Sequence, residues 1–324
     1  MTKKERVLAA LKGQMPDHVP AGFSLHFPKE SNAGEAGIQA HLDFFRETDT
    51  DIIKIMNENL VPHQGTIKTP EDWKCIGTIT RESPFIQRQL EFTKEILDRC
   101  EPDTYSLGTL HGITASTIHP IEGDYGYDPV RTLLTQHLRE NSTPVLDAMK
   151  RIAEGMCELA RGYAQAGVDG IYYASLGAEY RWFTDEEFAQ WIAPFDKLIL
   201  SEIQKTGCAA FLHICKDGLN MNRYEGYADY CDAVNWGVYE APCSLEEGKS
   251  LFPGKTVMGG LANHTGPLVE GTKEELEEAV KALVSSAGAA GFIVGADCTL
   301  PTTIPYERIR WVSDYLKKIP ASQF

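Results

Sequence analysis

Short runs of β-branched and apolar residues recur between longer amphipathic runs from residue 21 to the end of the chain, and this alternation limits the fold more than any other feature. At a period of two, eight runs read as strands: 21–26, 51–57, 105–111, 170–175, 208–215, 233–238, 256–261 and 291–297. The 3.6-residue period predicts helices over 3–12, 38–46, 70–74, 84–99, 184–205, 272–287 and 305–318. Another long helical tract ends at Gly167, and Asn141-Ser-Thr-Pro144 divides it in two. Thr184-Asp-Glu-Glu and Thr272-Lys-Glu-Glu are capping boxes, in which hydroxyl and carboxylate satisfy the first free amides of a helix. Strand–helix alternation at this length predicts an α/β fold with a parallel sheet: a closed (β/α)8 TIM barrel, with a doubly wound open sheet as the alternative. No linker-like composition interrupts residues 1–324, so a single domain is expected. Residues 112–140 read as an irregular insertion able to fold over the barrel mouth.

Charge narrows the partners. A formal net charge of -15 argues against a phosphate-backbone ligand, which needs clustered Lys and Arg. No run of about 20 apolar residues occurs to span a membrane, and Met1-Thr-Lys-Lys-Glu-Arg lacks the apolar core of a signal peptide. A cytoplasmic location follows as the expectation, with the eight cysteines reduced.

In a barrel the chemistry sits at the C-terminal ends of the strands. Those positions hold His26, Asn57, Glu58, His111, Ser175 followed by Glu179 and Tyr180, His213, Cys215, Trp236, Glu240, Asn263, His264, Asp297 and Cys298. Strand alternation puts Phe211, His213 and Cys215 on one face. With Cys298 they make a one-nitrogen, two-sulfur set, which suits zinc better than magnesium or calcium. Three protein ligands leave a position open for a substrate, as a catalytic site requires, and the wide spacing excludes a zinc finger. The plainer reading is a hydrogen-bonded histidine beside cysteines that pack as small hydrophobes. Glu179 is a candidate fourth ligand that substrate could displace. Gly259-Gly260 and residues 288–295 lack a phosphate-loop signature, and Ser175 lacks a nucleophile elbow.

Phe211-Leu-His-Ile-Cys-Lys-Asp-Gly218 and Gly295-Ala-Asp-Cys-Thr-Leu-Pro301 resemble the uroporphyrinogen decarboxylase superfamily, in particular its corrinoid-linked methyltransferase branch. Pro16-Asp-His-Val-Pro20 and Thr69-Pro-Glu-Asp-Trp73 extend the resemblance over almost the whole chain. The His-x-Cys…Cys motif of the coenzyme M methyltransferases falls on His213, Cys215 and Cys298. The resemblance implies a zinc-dependent methyltransferase. Its methyl group would move between a cobalamin (corrinoid) cofactor on a partner protein and a small thiol or methylated substrate, in either direction. It also implies that His26, Asn57, His111, Tyr180 and Asn263 shape the substrate pocket, that Glu179 and Asp297 assist catalysis, and that Asp297 supports the zinc histidine. Members often form dimers, so a homodimer is expected. The decarboxylases hold their tetrapyrrole carboxylates with arginines in an N-terminal segment, whereas this chain has none between Arg6 and Arg46. Two alternatives stay open: a decarboxylase or lyase for a small carboxylic substrate, and a non-catalytic corrinoid- or tetrapyrrole-binding module.

Overall fold

The computed structural model describes residues 1–324. Seven parallel strands pair in chain order: β1 (Ile52–Ile55), β2 (Tyr105–His111), β3 (Gly170–Ser175), β4 (Ala209–Ile214), β5 (Ala233–Trp236), β6 (Thr256–Leu261) and β7 (Phe292–Ala296). The helices are α1 (Lys3–Leu11), α2 (Gly34–Thr48), α3 (Pro84–Arg99), α4 (Ile113–Tyr125), α5 (Tyr127–Glu140), α6 (Ser142–Ala166), α7 (Asp185–Glu187), α8 (Ala193–Thr206), α9 (Leu245–Leu251), α10 (Lys273–Ala287) and α11 (Tyr306–Lys318). The result is an α/β fold of the TIM-barrel type, with a curled sheet of seven strands rather than the eight expected.

Residues 21–26, expected as the first strand, occupy the eighth place without forming a ladder. They touch β7 through the isolated parallel bridge Ala21↔Val294, and the chain beyond β7 through Leu25↔Leu300. On the other side, Asp51 N–H donates to the Ala21 carbonyl at 2.9 Å. The segment is short of regular donors: Pro20 and Pro28 bracket it, and the Ala21 N–H goes to the Asp51 carboxylate at 2.8 Å instead of to a strand carbonyl.

Alternation divides the apolar side chains into two layers. Leu212, Ile214, Val234, Trp236, Val257, Phe292 and Val294 point out and join the large core beneath the helices. Ile52, Tyr105, Leu107, Tyr172, Phe211, Ala233, Met258 and Ile293 point in and form a smaller core inside the sheet. Helix α1 closes the bottom of that inner core with Val7 and Ala10, tied by Thr256 Oγ1 donating to the Ala10 carbonyl at 2.8 Å. Burying an aliphatic or aromatic side chain this way stabilises by about 1.5–3 kcal/mol. With the bottom sealed, the open end is the end where the strands finish.

Residues 112–140 are not irregular. Gly112 opens α4, and Gly126, with φ of 83°, turns the chain from α4 directly into α5. Loop-like residues such as Pro120 and Gly123 hid this hairpin, yet Pro120 is buried inside α4. Residues 70–74, expected as α-helix, form part of a 3-10 turn, Pro70–Cys75. A wide π turn, Phe188–Ile192, interrupts the helix predicted from Thr184, just before Pro194, which has no N–H to continue the ladder. No helix is long and apolar enough to cross a membrane. All eight cysteines are free.

Candidate metal centre

Strand β4 carries His213 on its inward face and Cys215 just beyond its end, while β7 leads into Cys298. The three converge. His213 Nε2 lies 3.4 Å from Cys298 Sγ, the two sulfurs are 3.8 Å apart, and all three candidate ligand atoms fall within 4.8 Å of one another. His213 is buried, and the cysteines are partly so. The Cys298 thiol is held well below its ordinary range, first by the hydrogen bond from Cys215 and then by the His213 imidazole. Cys215 is pushed up because it keeps the proton of that shared bond. A thiol held low beside a second thiol and an imidazole is a donor set that a soft cation can occupy on deprotonation. The chain then turns sharply at Lys216, a non-glycine residue with φ of 88°.

The three candidate ligands form one wall of a cavity of about 330 Å3 that also contains His26, Lys54, Glu58, Thr109, His111, His119, Tyr127, Tyr172 and Lys216. His111 and His119 meet edge to face, with ring centroids 4.9 Å apart. Burial depresses both imidazoles, to about 3 and about 4, so they are neutral near pH 7. His26 Nδ1 sits 2.8 Å from Glu58 Oε1, a hydrogen bond that draws the Glu58 carboxyl below its usual range. Lys54 reaches up from β1, its Nζ 3.7 Å from the centroid of the Tyr172 ring. Burial lowers this ammonium to about 8, although both thiols favour its charge.

Several expected residues lie elsewhere. Glu179 turns its carboxylate into a buried ion pair with Arg131 of α5 and accepts the Gly177 N–H at 3.0 Å, so it stands outside the ligand cluster. Arg131 lies between the rings of Tyr127 and Trp182, and a buried carboxylate needs such a partner to stay charged. Tyr180 is 61% exposed and borders a separate groove of about 800 Å3 outside the strand ends. Asn57 closes a turn by accepting the Asn59 N–H at 3.0 Å. Asn263 Nδ2 donates to the Thr299 carbonyl at 3.2 Å, bracing the loop that carries Cys298. Asp297 does not support His213: one oxygen accepts the Tyr239 N–H at 2.9 Å, the other has no partner, and burial raises the acid to about 6. Ser175 and Trp236 point outward by strand alternation, Trp236 donating to the Cys243 carbonyl at 3.0 Å. His26 and His111 do line the cavity.

Lys54, His119 and Tyr172 were missed. A charge at an inward position of an otherwise apolar strand was a legible sign for Lys54. Tyr172 looked like core and His119 fell in the stretch read as irregular.

A sequence profile described as uroporphyrinogen decarboxylase (URO-D) matches residues 56–319, which contain all three candidate ligands. The chain belongs to the uroporphyrinogen decarboxylase family. No curated protein matches the sequence. Among solved structures, this URO-D family chain is similar to a methyltransferase from Methanosarcina mazei, at 17% identity and a TM-score of 0.75, covering 98% of this chain and 99% of that one. It is also similar to a B12-independent methionine synthase from Shewanella sp. W3-18-1 in complex with selenomethionine. That likeness has 13% identity and a TM-score of 0.61, covering 93% of this chain and 97% of that one. At these identities the likeness shows the shared fold.

Proposed function

We propose that this URO-D family protein is a zinc-dependent methyltransferase working between a small thiol or methylated compound and a corrinoid carried by a partner protein. The observation that carries the reading is the convergence of His213, Cys215 and Cys298 at the open end of the sheet. One borderline nitrogen and two soft sulfurs fit zinc, and three protein donors leave a position for substrate. When bound there, zinc supplies Lewis acidity that lowers the pKa of a thiol or polarises the heteroatom of a methyl donor.

The chain's own residues do the rest. Cys215 and Cys298, their sulfurs 3.8 Å apart, would give up their protons to bind the cation, Cys298 the more readily because its thiol is held low. Ala115, Ile118, Leu176 and Tyr127 give the cavity an apolar wall against which a small substrate can pack. His111 and His119, held neutral, bring no competing positive charge. A volume of about 330 Å3 fits a small substrate. The cavity's cations are Lys54 and Lys216, with no guanidinium, and Arg6 is held by Asp17 at 2.6 Å on α1 at the sealed end. That distribution disfavours a polycarboxylate porphyrinogen, whose acids need arginine forks.

The test is incubation with methylcobalamin, and separately with cob(I)alamin, plus a panel of thiols and methylated compounds, followed through the cobalt absorbance. Methyl exchange with one substrate class, lost in Cys298→Ser, is the expected outcome. Carbon dioxide release that survives chelation, with no change in the cobalt spectrum, would replace this reading with a decarboxylase.

A further inference from the structure

Metal-binding histidines are ordinarily aimed by a hydrogen bond from their second ring nitrogen to a carboxylate or carbonyl. His213 has no such support. Its Nε2 faces Cys298, while its Nδ1 is buried with no protein partner, and Asp297 turns its carboxylate to the Tyr239 N–H. The imidazole instead lies nearly parallel to the ring of Tyr172, with centroids 5.3 Å apart and planes 26° from each other.

Tyr172 is itself fixed. Its hydroxyl donates to Asn235 Oδ1 at 2.8 Å, and Asn235 Nδ2 donates to the Met258 carbonyl at 2.8 Å and the Ala296 carbonyl at 3.2 Å. Three further strands, β5, β6 and β7, are thereby tied to one phenol on β3. Gly259 leaves the room this needs: a Cβ there would come within 2.8 Å of Asn235 Nδ2, on backbone with φ of 134°. On Tyr172 also rests the Lys54 ammonium, 3.7 Å from its centroid.

We infer that Tyr172, braced by Asn235, is the positioning residue for His213: it sets the plane of the ligand ring by stacking, in place of a hydrogen bond to Nδ1. The inference rests on the zinc reading for its purpose, but the stack itself is a property of the metal-free protein and is tested there. In metal-free protein labelled with 15N-histidine, the His213 ring resonances carry the upfield ring-current shift of a stacked imidazole. Tyr172→Phe, which keeps the ring, retains that shift, and Tyr172→Leu loses it. A His213 signal without the shift in wild type, or one unchanged in a folded Tyr172→Leu, overturns the inference whatever the protein does with zinc.

Metal affinity supplies the second readout, by chelator competition and by the absorption bands of the Co(II)-substituted protein. Tyr172→Leu weakens binding by about tenfold or more and alters the Co(II) bands, while Tyr172→Phe stays within a fewfold of wild type. Equal affinity and identical bands in all three proteins overturn the positioning role. If Tyr172→Leu does not fold, Tyr172→Met replaces it under the same two readouts, and an unchanged His213 signal with unchanged metal affinity in that variant overturns the inference. Wild-type protein that shows the stacked signal but binds no zinc supports the stack and rejects the zinc reading, so the two failures are distinct.

Discussion

Cys215 and Cys298 are neighbours because parallel strands from distant parts of the chain end at the same rim. Their chemistry at residue scale is therefore a property of the pair. Cys298→Ser and Cys215→Ser should each lower zinc content from near one per chain to a small fraction, measured on protein purified without chelator, while circular dichroism stays native. Glu179 makes the opposite prediction. Its carboxylate is neutralised by Arg131 inside the protein, and removing one partner of such a pair costs about 3–5 kcal/mol. Arg131→Leu should therefore lower the urea midpoint strongly, whereas Glu179→Gln should keep zinc content near wild type. Loss of zinc in Glu179→Gln at normal stability would restore Glu179 as a ligand. The convergence of the candidate ligands was legible because strand alternation is rigid, whereas nothing local told that Glu179 would meet an arginine from a helix some fifty residues before it in the chain.

The elements that hold this rim are joined by buried polar contacts. His41 on α2 has Nδ1 at 2.7 Å from the Gly37 carbonyl, and its Nε2 accepts the Met56 N–H at 3.0 Å, so the neutral imidazole links the helix to the end of β1. Burial lowers its pKa from 6.5 to about 4. Above pH 6.5 neither folded nor unfolded chain charges this group. Between pH 6.5 and about 4 the unfolded chain takes up the proton and the folded one does not, so stability falls as pH falls, by about 1.4 kcal/mol per pH unit. Urea melts should show the advantage of wild type over His41→Gln shrinking by about 2 kcal/mol from pH 7 to pH 5. A difference independent of pH would mean that His41 titrates normally. A second contact at this scale joins β5 to α9. A Cβ on Gly248 would stand 2.1 Å from the Trp236 ring. Gly248→Ala should cost about 1–3 kcal/mol by overpacking, visible as a lower melting temperature. Helix period and capping boxes made most of these elements readable. Helix α5 was legible as the first half of the tract divided at Asn141, but α4 was not, because turn formers inside a buried hairpin carry the same local signal as a loop, and tertiary burial decides between them.

At the scale of the whole molecule, the alternation of strands and helices was legible because each strand must bury both faces and each helix one. What it could not settle was closure. The segment at residues 21–26 satisfies its amides partly through the Asp51 side chain and touches its neighbours by single bridges, so the eighth place is filled by extended chain rather than by a paired strand. The fold nonetheless seals one end with α1 and opens the other at His213, Cys215 and Cys298. In the function proposed above, these three residues hold zinc and leave a place for substrate. X-ray absorption at the zinc edge of the purified wild-type protein tests it most directly. The expected spectrum has two sulfur scatterers at about 2.3 Å and light atoms, one of them an imidazole nitrogen, at about 2.0–2.1 Å. Zinc surrounded only by oxygen and nitrogen, or no zinc in the protein at all, would contradict it.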